Sequence, residues 1–221
     1  MDRKKLATQV RRQQIVNAAL ELIAGRGLRR LSMAAVARRV GLVPSGIYRH
    51  FRNKSTLLDA VMLLVEERLL GNVAAACQES DNALEQLHGI LMRHVQLISQ
   101  GRAVPRMVFS DDPQLGGKRR ARQLLQIFNR YLAAIEAVVR RGQKQGVVRR
   151  ALEPHTTALL LLGIVVPAAI IWHVSDGKFD AERHARRAWK IFLTAVAEKR
   201  RLPRRHVRSS TTITQTVARK K

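Results

Sequence analysis

The stretch LSMAAVARRVGLVPSGIYRHF, residues 31–51, decides the fold. It contains two short segments with apolar residues at helical spacing, separated by one glycine. In the first segment, Ser32 stands where an N-cap residue accepts a hydrogen bond from an early amide of the helix. Gly41 provides the turn, because glycine adopts a left-handed backbone conformation without steric cost. Pro44 suits the first turn of a second helix. The stretch therefore predicts two helices joined by a tight turn.

The second of these helices has one buried face and one polar face. Ile47 and Phe51 lie four residues apart and so form the buried face. The opposite face carries small polar, aromatic and basic side chains, at Ser45, Tyr48, Arg49 and His50. Two helices of about two turns each, joined by a turn of about three or four residues, match the helix-turn-helix motif. A polar and basic face on the second helix suits the major groove of DNA.

The longer run GLVPSGIYRHFRNKSTLLDAV, residues 41–61, resembles the DNA-binding signature of the TetR family of one-component repressors. The shared pattern is a glycine and an aliphatic residue, then Tyr48, His50 and an aromatic residue, then an asparagine-lysine pair before a Leu-Leu helix. The resemblance is close over residues 13–65 and rests on architecture beyond them. It implies an all-α fold with an N-terminal three-helix helix-turn-helix head and a C-terminal helical ligand-binding and dimerisation body.

The resemblance also implies which side chains contact DNA. Those expected at phosphates are Ser32, Tyr48, His50 and Lys54, and those expected at bases are Pro44, Ser45 and Arg49. Arg49 is the expected main base reader, because a guanidinium can bridge O6 and N7 of guanine and discriminate by about 1–3 kcal/mol. A phosphate contact remains the alternative for Arg49, and packing remains the alternative for Tyr48.

Two residues of this run depart from the family pattern. Val43 stands where a capping serine, threonine or acidic residue is common, so the second helix is expected to start less rigidly. Gly46 replaces a residue that is usually threonine or alanine, which removes a contact with a thymine methyl group or a phosphate. Both departures concern how bases are read rather than whether DNA is bound.

The charge distribution indicates a polyanionic partner. The 221 residues carry a formal net charge of +25. Residues 1–60 contain 13 Lys+Arg against 3 Asp+Glu, and residues 199–221 contain 9 Lys+Arg and no acidic residue. Positive charge concentrated at the two ends is typical of proteins that bind nucleic acid. Binding to RNA or to a membrane surface is the alternative use of these basic ends.

Nothing in the sequence predicts catalysis, a cofactor or a metal site. The seven histidines form no HExxH pair, and Cys77 is alone, so neither a thiolate metal site nor an internal disulfide is expected. No phosphate-binding glycine motif or nucleophile motif occurs. The apolar run 158–172 is shorter than the ~20 residues of a membrane span, and no signal peptide is visible. We therefore expect a cytoplasmic protein that is not an enzyme.

The domain organisation is predicted as three segments. Residues 1–54 form the DNA-binding domain, with a basic arm before a first helix at about 12–24. Residues 55–199 form the body, in which 55–70 is a connector helix ending at about Leu70 and 104–110 is a short helix. The resemblance implies that the last two helices, about 154–174 and 180–199, pair with their copies in a homodimer. Residues 200–221 are predicted to be a disordered basic tail.

The function predicted is a homodimeric repressor that binds a near-palindromic operator in double-stranded DNA and is released by a small apolar or amphipathic effector. The residues expected to line the effector site are Met107, Phe109, Phe128, Tyr131 and Trp172. For each of them taken alone, ordinary core packing is favoured over a contact with a ligand. The alternative function is a DNA-binding protein of the same fold without an effector, acting in genome organisation or through a protein partner.

Overall fold

The computed structural model describes residues 3–100 and 118–198, with side chains described for 7–99 and 118–198. The predicted helix 104–110, Met107, Phe109 and the tail 200–221 lie outside the described residues. Within the described ranges the regular secondary structure is helical, and one isolated bridge joins Val148 and Ala197. The helices are α1 (Arg3–Arg26), α2 (Met33–Arg39), α3 (Pro44–Ile47), α4 (Lys54–Glu79), α5 (Ala83–Gln100), α6 (Lys118–Gln145), α7 (Pro154–Val174) and α8 (Ala181–Val196).

The head is formed by α1, α2, α3 and the start of α4. Helix α1 packs against α2 and α4, and α2 packs against α3. The apolar stripe of α1 is buried, and so are the two anchors predicted for α3, Ile47 and Phe51, which are 0% and 2% exposed. The turn between α2 and α3 contains Gly41 at φ +69°, as predicted from its place in the sequence.

Three helix boundaries differ from the sequence predictions. Helix α1 begins at Arg3, so the prediction that residues before about 12 form an arm is wrong over 3–12. This segment contains no glycine or proline and is rich in lysine, arginine and glutamine, which favour helix. Helix α4 continues past Leu70 and Gly71 to Glu79. Helix α3 ends at Ile47, which is shorter than the predicted two turns.

The body is built around α5, which packs against α4, α6, α7 and α8. Its buried residues recur at three- and four-residue spacing, at Leu87, Ile90, Leu91, Val95 and Ile98. The inward face of α6 is buried at Tyr131, Leu132, Ile135, Val138 and Val139. One apolar core therefore runs from the head through α4 into the body.

Helix α4 joins the head to the body, and ion pairs attach it to α6. Asp59 pairs with Arg119 at 2.5 Å and with Arg120 at 2.9 Å. Arg120, which is buried, also donates to the Ser55 carbonyl at 2.8 Å. Two turns further along α4, the buried Glu66 pairs with Arg130. Helix α4, the connector, is therefore joined to α6 at two positions along its length.

Helix α7 is half buried. Its 21 residues are long and apolar enough to cross a membrane, so the expectation that this segment is too short for a span is wrong in length. One side packs against α5, α6 and α8, with Trp172 6% exposed. The opposite side exposes Leu159, Leu160, Val166, Ile170, Ile171 and Val174.

Candidate DNA-binding surface and effector region

The residues predicted to bind DNA lie at three neighbouring places in the head. Ser32 caps α2, five of the others lie on α3 or the turn after it, and Lys54 is the first residue of α4. Ser32, Pro44, Ser45, Tyr48 and Arg49 are exposed, whereas His50 and Lys54 are half buried. Tyr48 is 54% exposed, which favours a contact with DNA over core packing.

The starts of α2 and α4 are capped by side chains. The Ser32 hydroxyl accepts a hydrogen bond from the Ala35 amide at 3.1 Å, as its position in the sequence predicts. At α4 the Asn53 side chain accepts from the Thr56 amide at 2.9 Å, and the Thr56 hydroxyl accepts from the Asn53 amide at 3.3 Å. Other amides in each first turn have no partner within their own helix. Together with the helix dipole, such amides favour a bound phosphate.

Helix α3 has a weak start, as the sequence predicts. Val43 at its N-cap makes no side-chain hydrogen bond to the helix and is 67% exposed. After Ile47 the chain continues as a hydrogen-bonded turn in which the amides of His50 and Phe51 both donate to the Ile47 carbonyl at 3.0 Å. Arg49 therefore projects from a turn held by two buried anchors rather than from the middle of a long helix.

Sequence reasoning missed the contacts that α1 makes with this surface. Arg12 donates to the His50 carbonyl and lies over the Phe51 ring, and Arg11 approaches the Val40 carbonyl at 3.5 Å. The basic arm predicted before the first helix ends at these two arginines. No local pattern signals the contact with His50, because the two residues are 38 positions apart.

The surface of the head is positively charged. Within the described part of the head, the exposed cations outnumber the acidic residues, and one of the cations, Arg39, is paired with Glu21 at 2.9 Å. Other exposed arginines of the head are Arg26, Arg29, Arg30, Arg38, Arg49 and Arg52. Unpaired arginines attract the phosphate backbone of DNA irrespective of sequence.

The predicted effector residues that the structure describes are not equivalent. Tyr131 and Trp172 are buried at 3% and 6% exposure, whereas Phe128 is 38% exposed on the outer side of α6. The Tyr131 hydroxyl lies 3.1 Å from Nδ1 of His94 on α5, and the two rings meet edge to face. Burial lowers the pKa of His94 to about 4 and raises the pKa of Tyr131. Both groups are therefore neutral at pH 7. His94 was not predicted as a site residue.

Fold and surface together define a helix-turn-helix DNA-binding protein with a helical regulatory body. Two family descriptions match the chain: "Bacterial regulatory proteins, tetR family" over residues 15–61, and "Tetracyclin repressor-like, C-terminal domain" over residues 80–196. The chain belongs to the TetR family of DNA-binding transcriptional regulators. Members of this family bind DNA, typically as dimers, and are generally not enzymes.

Individual relatives are distant. The nucleoid occlusion factor SlmA of Marinobacter nauticus is 28% identical over 150 residues, which cover 67% of this chain and 74% of that protein. The fatty acid metabolism regulator protein of Bacillus subtilis is 19% identical over 186 residues, covering 84% and 95%. SmeT, the repressor of a Stenotrophomonas maltophilia multidrug efflux pump, superposes with a TM-score of 0.70 at 21% identity, covering 87% and 93%. At this identity the superposition shows a shared fold.

Proposed function

We propose that this protein is a cytoplasmic, homodimeric repressor that binds a near-palindromic operator and leaves it when a small apolar or amphipathic molecule binds the body. The observation that carries the DNA-binding half is the arrangement of α3. Ile47 and Phe51 anchor it in the core, while Tyr48 and Arg49 stand exposed on the other side. A buried anchor beneath an exposed polar face is what major-groove recognition requires.

Each residue predicted to bind DNA has a proposed role. Ser32, Tyr48, His50 and Lys54 bind phosphates and set the orientation of the head on the duplex, and Pro44, Ser45 and Arg49 meet base edges. Phosphate contacts give affinity without sequence choice, whereas contacts with base edges give specificity. Arg49 is the main reader, because a guanidinium matches the two acceptors of guanine.

Dimerisation is proposed through α7 and α8. A single head buries too little surface for tight and selective binding, and two heads read half-sites ~34–36 Å apart. Helix α7 exposes apolar side chains along one side and packs against α8, where Ile191 is 76% exposed. Apolar faces of this extent on monomeric proteins mark interaction sites.

The effector half of the proposal is supported by how α6 is connected. Helix α6 carries Tyr131 in the core of the body and is tied to α4 through Asp59 and Glu66. A ligand that shifts α6 therefore shifts the connector and with it the spacing of the two heads. The ligand changes DNA affinity only if it binds the two arrangements unequally.

The comparisons favour an effector over the alternative of a DNA-binding protein without one. One relative is named as a regulator of fatty acid metabolism, and the similar fold of SmeT has been solved in complex with triclosan. Both names point to small molecules with a large apolar part. We therefore do not propose the alternative function.

The DNA-binding proposal is tested by selecting bound sequences from a random duplex pool at ~150 mM salt, where non-specific phosphate binding is weakened. The expected result is a short near-palindrome with a fixed spacing between half-sites. Loss of all enrichment at this salt would contradict sequence-specific binding. The selected operator then allows release to be measured with triclosan and palmitate as probes of an apolar effector.

The roles of Arg49 and Lys54 are separated by a pair of substitutions. Arg49→Ala is expected to weaken operator binding by about 1–3 kcal/mol while affecting random duplex much less, because it removes a base contact. Lys54→Ala is expected to weaken both duplexes about equally and to reduce the salt dependence by about one counterion. Fluorescence anisotropy titrations over a range of salt concentrations measure both. Equal losses on the two duplexes for Arg49→Ala would remove its role as base reader.

A further inference from the structure

We propose that Arg12 is a positioning residue for DNA recognition, which holds the turn carrying Arg49 and His50 in the orientation that reads the operator. The guanidinium carbon of Arg12 lies 4.3 Å from the centroid of the Phe51 ring. One nitrogen of the same guanidinium donates a hydrogen bond to the His50 carbonyl. One exposed side chain of α1 thus contacts both residues that end the recognition segment.

The recognition segment needs an external support because its own helix is short. Regular helix covers only Pro44–Ile47, and its start has no side-chain cap. Beyond Ile47 the backbone is held by three bonds, namely Arg49 to Gly46 at 3.3 Å and both His50 and Phe51 to Ile47 at 3.0 Å. Four residues are too few for a helix to be stable by itself in water. The orientation of this turn therefore depends on tertiary contacts.

The chemistry of arginine suits this place. A planar guanidinium stacks on an aromatic face and donates in its own plane at the same time, which a lysine ammonium does not do. A cation at the carboxyl end of a helical turn also interacts favourably with the exposed carbonyls there. Phe51 is fixed in the core, so Arg12 connects the His50 carbonyl to a rigid point of the head.

Arg11 provides a matched control. It is the adjacent residue of α1, carries the same charge and is likewise exposed. Its guanidinium reaches the Val40 carbonyl at the end of α2 at 3.5 Å, the limit of a hydrogen bond, and no ring contact accompanies it. Removing either arginine takes one positive charge from the same turn of α1. Any difference between the two variants therefore comes from the contacts of Arg12.

The experiment compares Arg12→Gln, Arg12→Lys and Arg11→Gln in the full chain, with the selected operator and a random duplex titrated at several salt concentrations. Arg12→Gln is expected to lose about tenfold in operator affinity beyond the loss in Arg11→Gln, because a stacking contact and a charged hydrogen bond are removed together. The two glutamine variants should bind random duplex equally, with equal salt dependence. Arg12→Lys should fall between wild type and Arg12→Gln.

A second measurement needs no DNA and so stands apart from the proposed operator binding. Amide hydrogen exchange of the free protein at His50 and Phe51 should accelerate in Arg12→Gln and stay at the wild-type rate in Arg11→Gln. Exchange in the body should be the same in all variants. Unchanged exchange at both amides would overturn the proposal. So would equal losses on operator and random duplex with a reduced salt dependence, since that result identifies Arg12 as a phosphate contact.

Discussion

His94 and Tyr131 form a polar pair in the body, in which Tyr131 is buried and His94 is half-buried. Their 3.1 Å contact joins α5 to α6, and the Tyr131 side chain is 3% exposed. Burial disfavours a charge on either ring, so the pKa of His94 falls to about 4 and the pKa of Tyr131 rises. A neutral pair joined by one hydrogen bond costs little to bury, whereas a protonated His94 would lack a counter-ion in this pair.

The lowered pKa predicts that acid destabilises the protein through His94. Between pH 6.5 and about 4 the unfolded chain binds a proton at His94 that the folded chain excludes, so stability falls as the pH falls. From pH 7.5 to 5 the loss from this residue should be about 2 kcal/mol. Urea unfolding at both pH values should show that wild type loses about this much more than His94→Gln.

The comparison with His94→Gln isolates this residue. Burial also lowers the pKa of His88, and hydrogen bonds from the amides and side chains of α7 lower the pKa of Glu153 to about 2. Both groups are present in both proteins, so their contributions cancel. The carboxylate contribution is lost only as the pH falls below about 4.5. Equal losses in the two proteins would show that His94 is protonated without penalty.

Sequence reasoning at this scale succeeded where the partners are close along the chain. The Ser32 cap and the left-handed Gly41 are decided within about four residues, and both are found as predicted. The contact of Arg12 with His50 spans 38 positions, and that of Tyr131 with His94 spans 37. Contacts of such separation depend on how whole helices pack, which one sequence does not display.

Helix lengths show the same distinction between local signals and tertiary packing. Asn53 and Thr56 give α4 a complete capping box, and the helix runs for 26 residues through Gly71 because its inner side is buried along most of its length. Helix α3 begins without a side-chain cap, contains a glycine and stops at Ile47. Local residues predict where both helices start. The ends predicted for them are wrong, because tertiary packing decides how far each helix continues.

Gly46 in α3 is predicted to tolerate a side chain and to gain from it. A methyl group there would meet Val43 Cγ2 at 3.5 Å and Leu42 carbons at 3.8 Å, which are ordinary contacts. Gly46→Ala should therefore raise the free energy of unfolding by about 0.5–1 kcal/mol, because alanine favours helix and restricts the unfolded chain. Urea unfolding measures the gain in the free energy of unfolding, and amide hydrogen exchange shows whether the gain lies in the head.

Gly142 in α6 is the contrasting case. A methyl group there would lie 2.6 Å from Val148 Cγ2 and 2.9 Å from Ala83 Cβ, so the packing of α5 against α6 would have to open. Gly142→Ala should lower the free energy of unfolding by about 1–3 kcal/mol. Stabilisation by Gly142→Ala, or destabilisation by Gly46→Ala, would mean that the distances from the added methyl group to its neighbours do not decide how stability changes at these two glycines.

At the scale of the whole molecule, α4 links the head to the body, and α7 has one buried and one exposed apolar side. Helix α4 belongs to both the head and the body, and ion pairs join it to α6. Helix α7 is apolar nearly all round, and such a pattern by itself does not tell which side is buried and which side forms an interface. The structure distinguishes the two sides: Leu161, Val165 and Trp172 are buried on one, and Val174 is 79% exposed on the other.

This separation predicts how the dimer can be broken. Ile170 lies near the centre of the exposed side of α7, so Ile170→Asp would place a carboxylate from each subunit in the proposed interface without disturbing the core of the body. The dimer dissociation constant should rise by about 100-fold or more, since two charges would be desolvated without partners. Sedimentation measures the dissociation, and operator binding should weaken at protein concentrations where monomer predominates, while random duplex binding changes much less. Leu125→Asp, at an exposed apolar residue of α6 outside this face, should leave the dimer intact. An undisturbed dimer in Ile170→Asp would instead place the subunit contact on another surface.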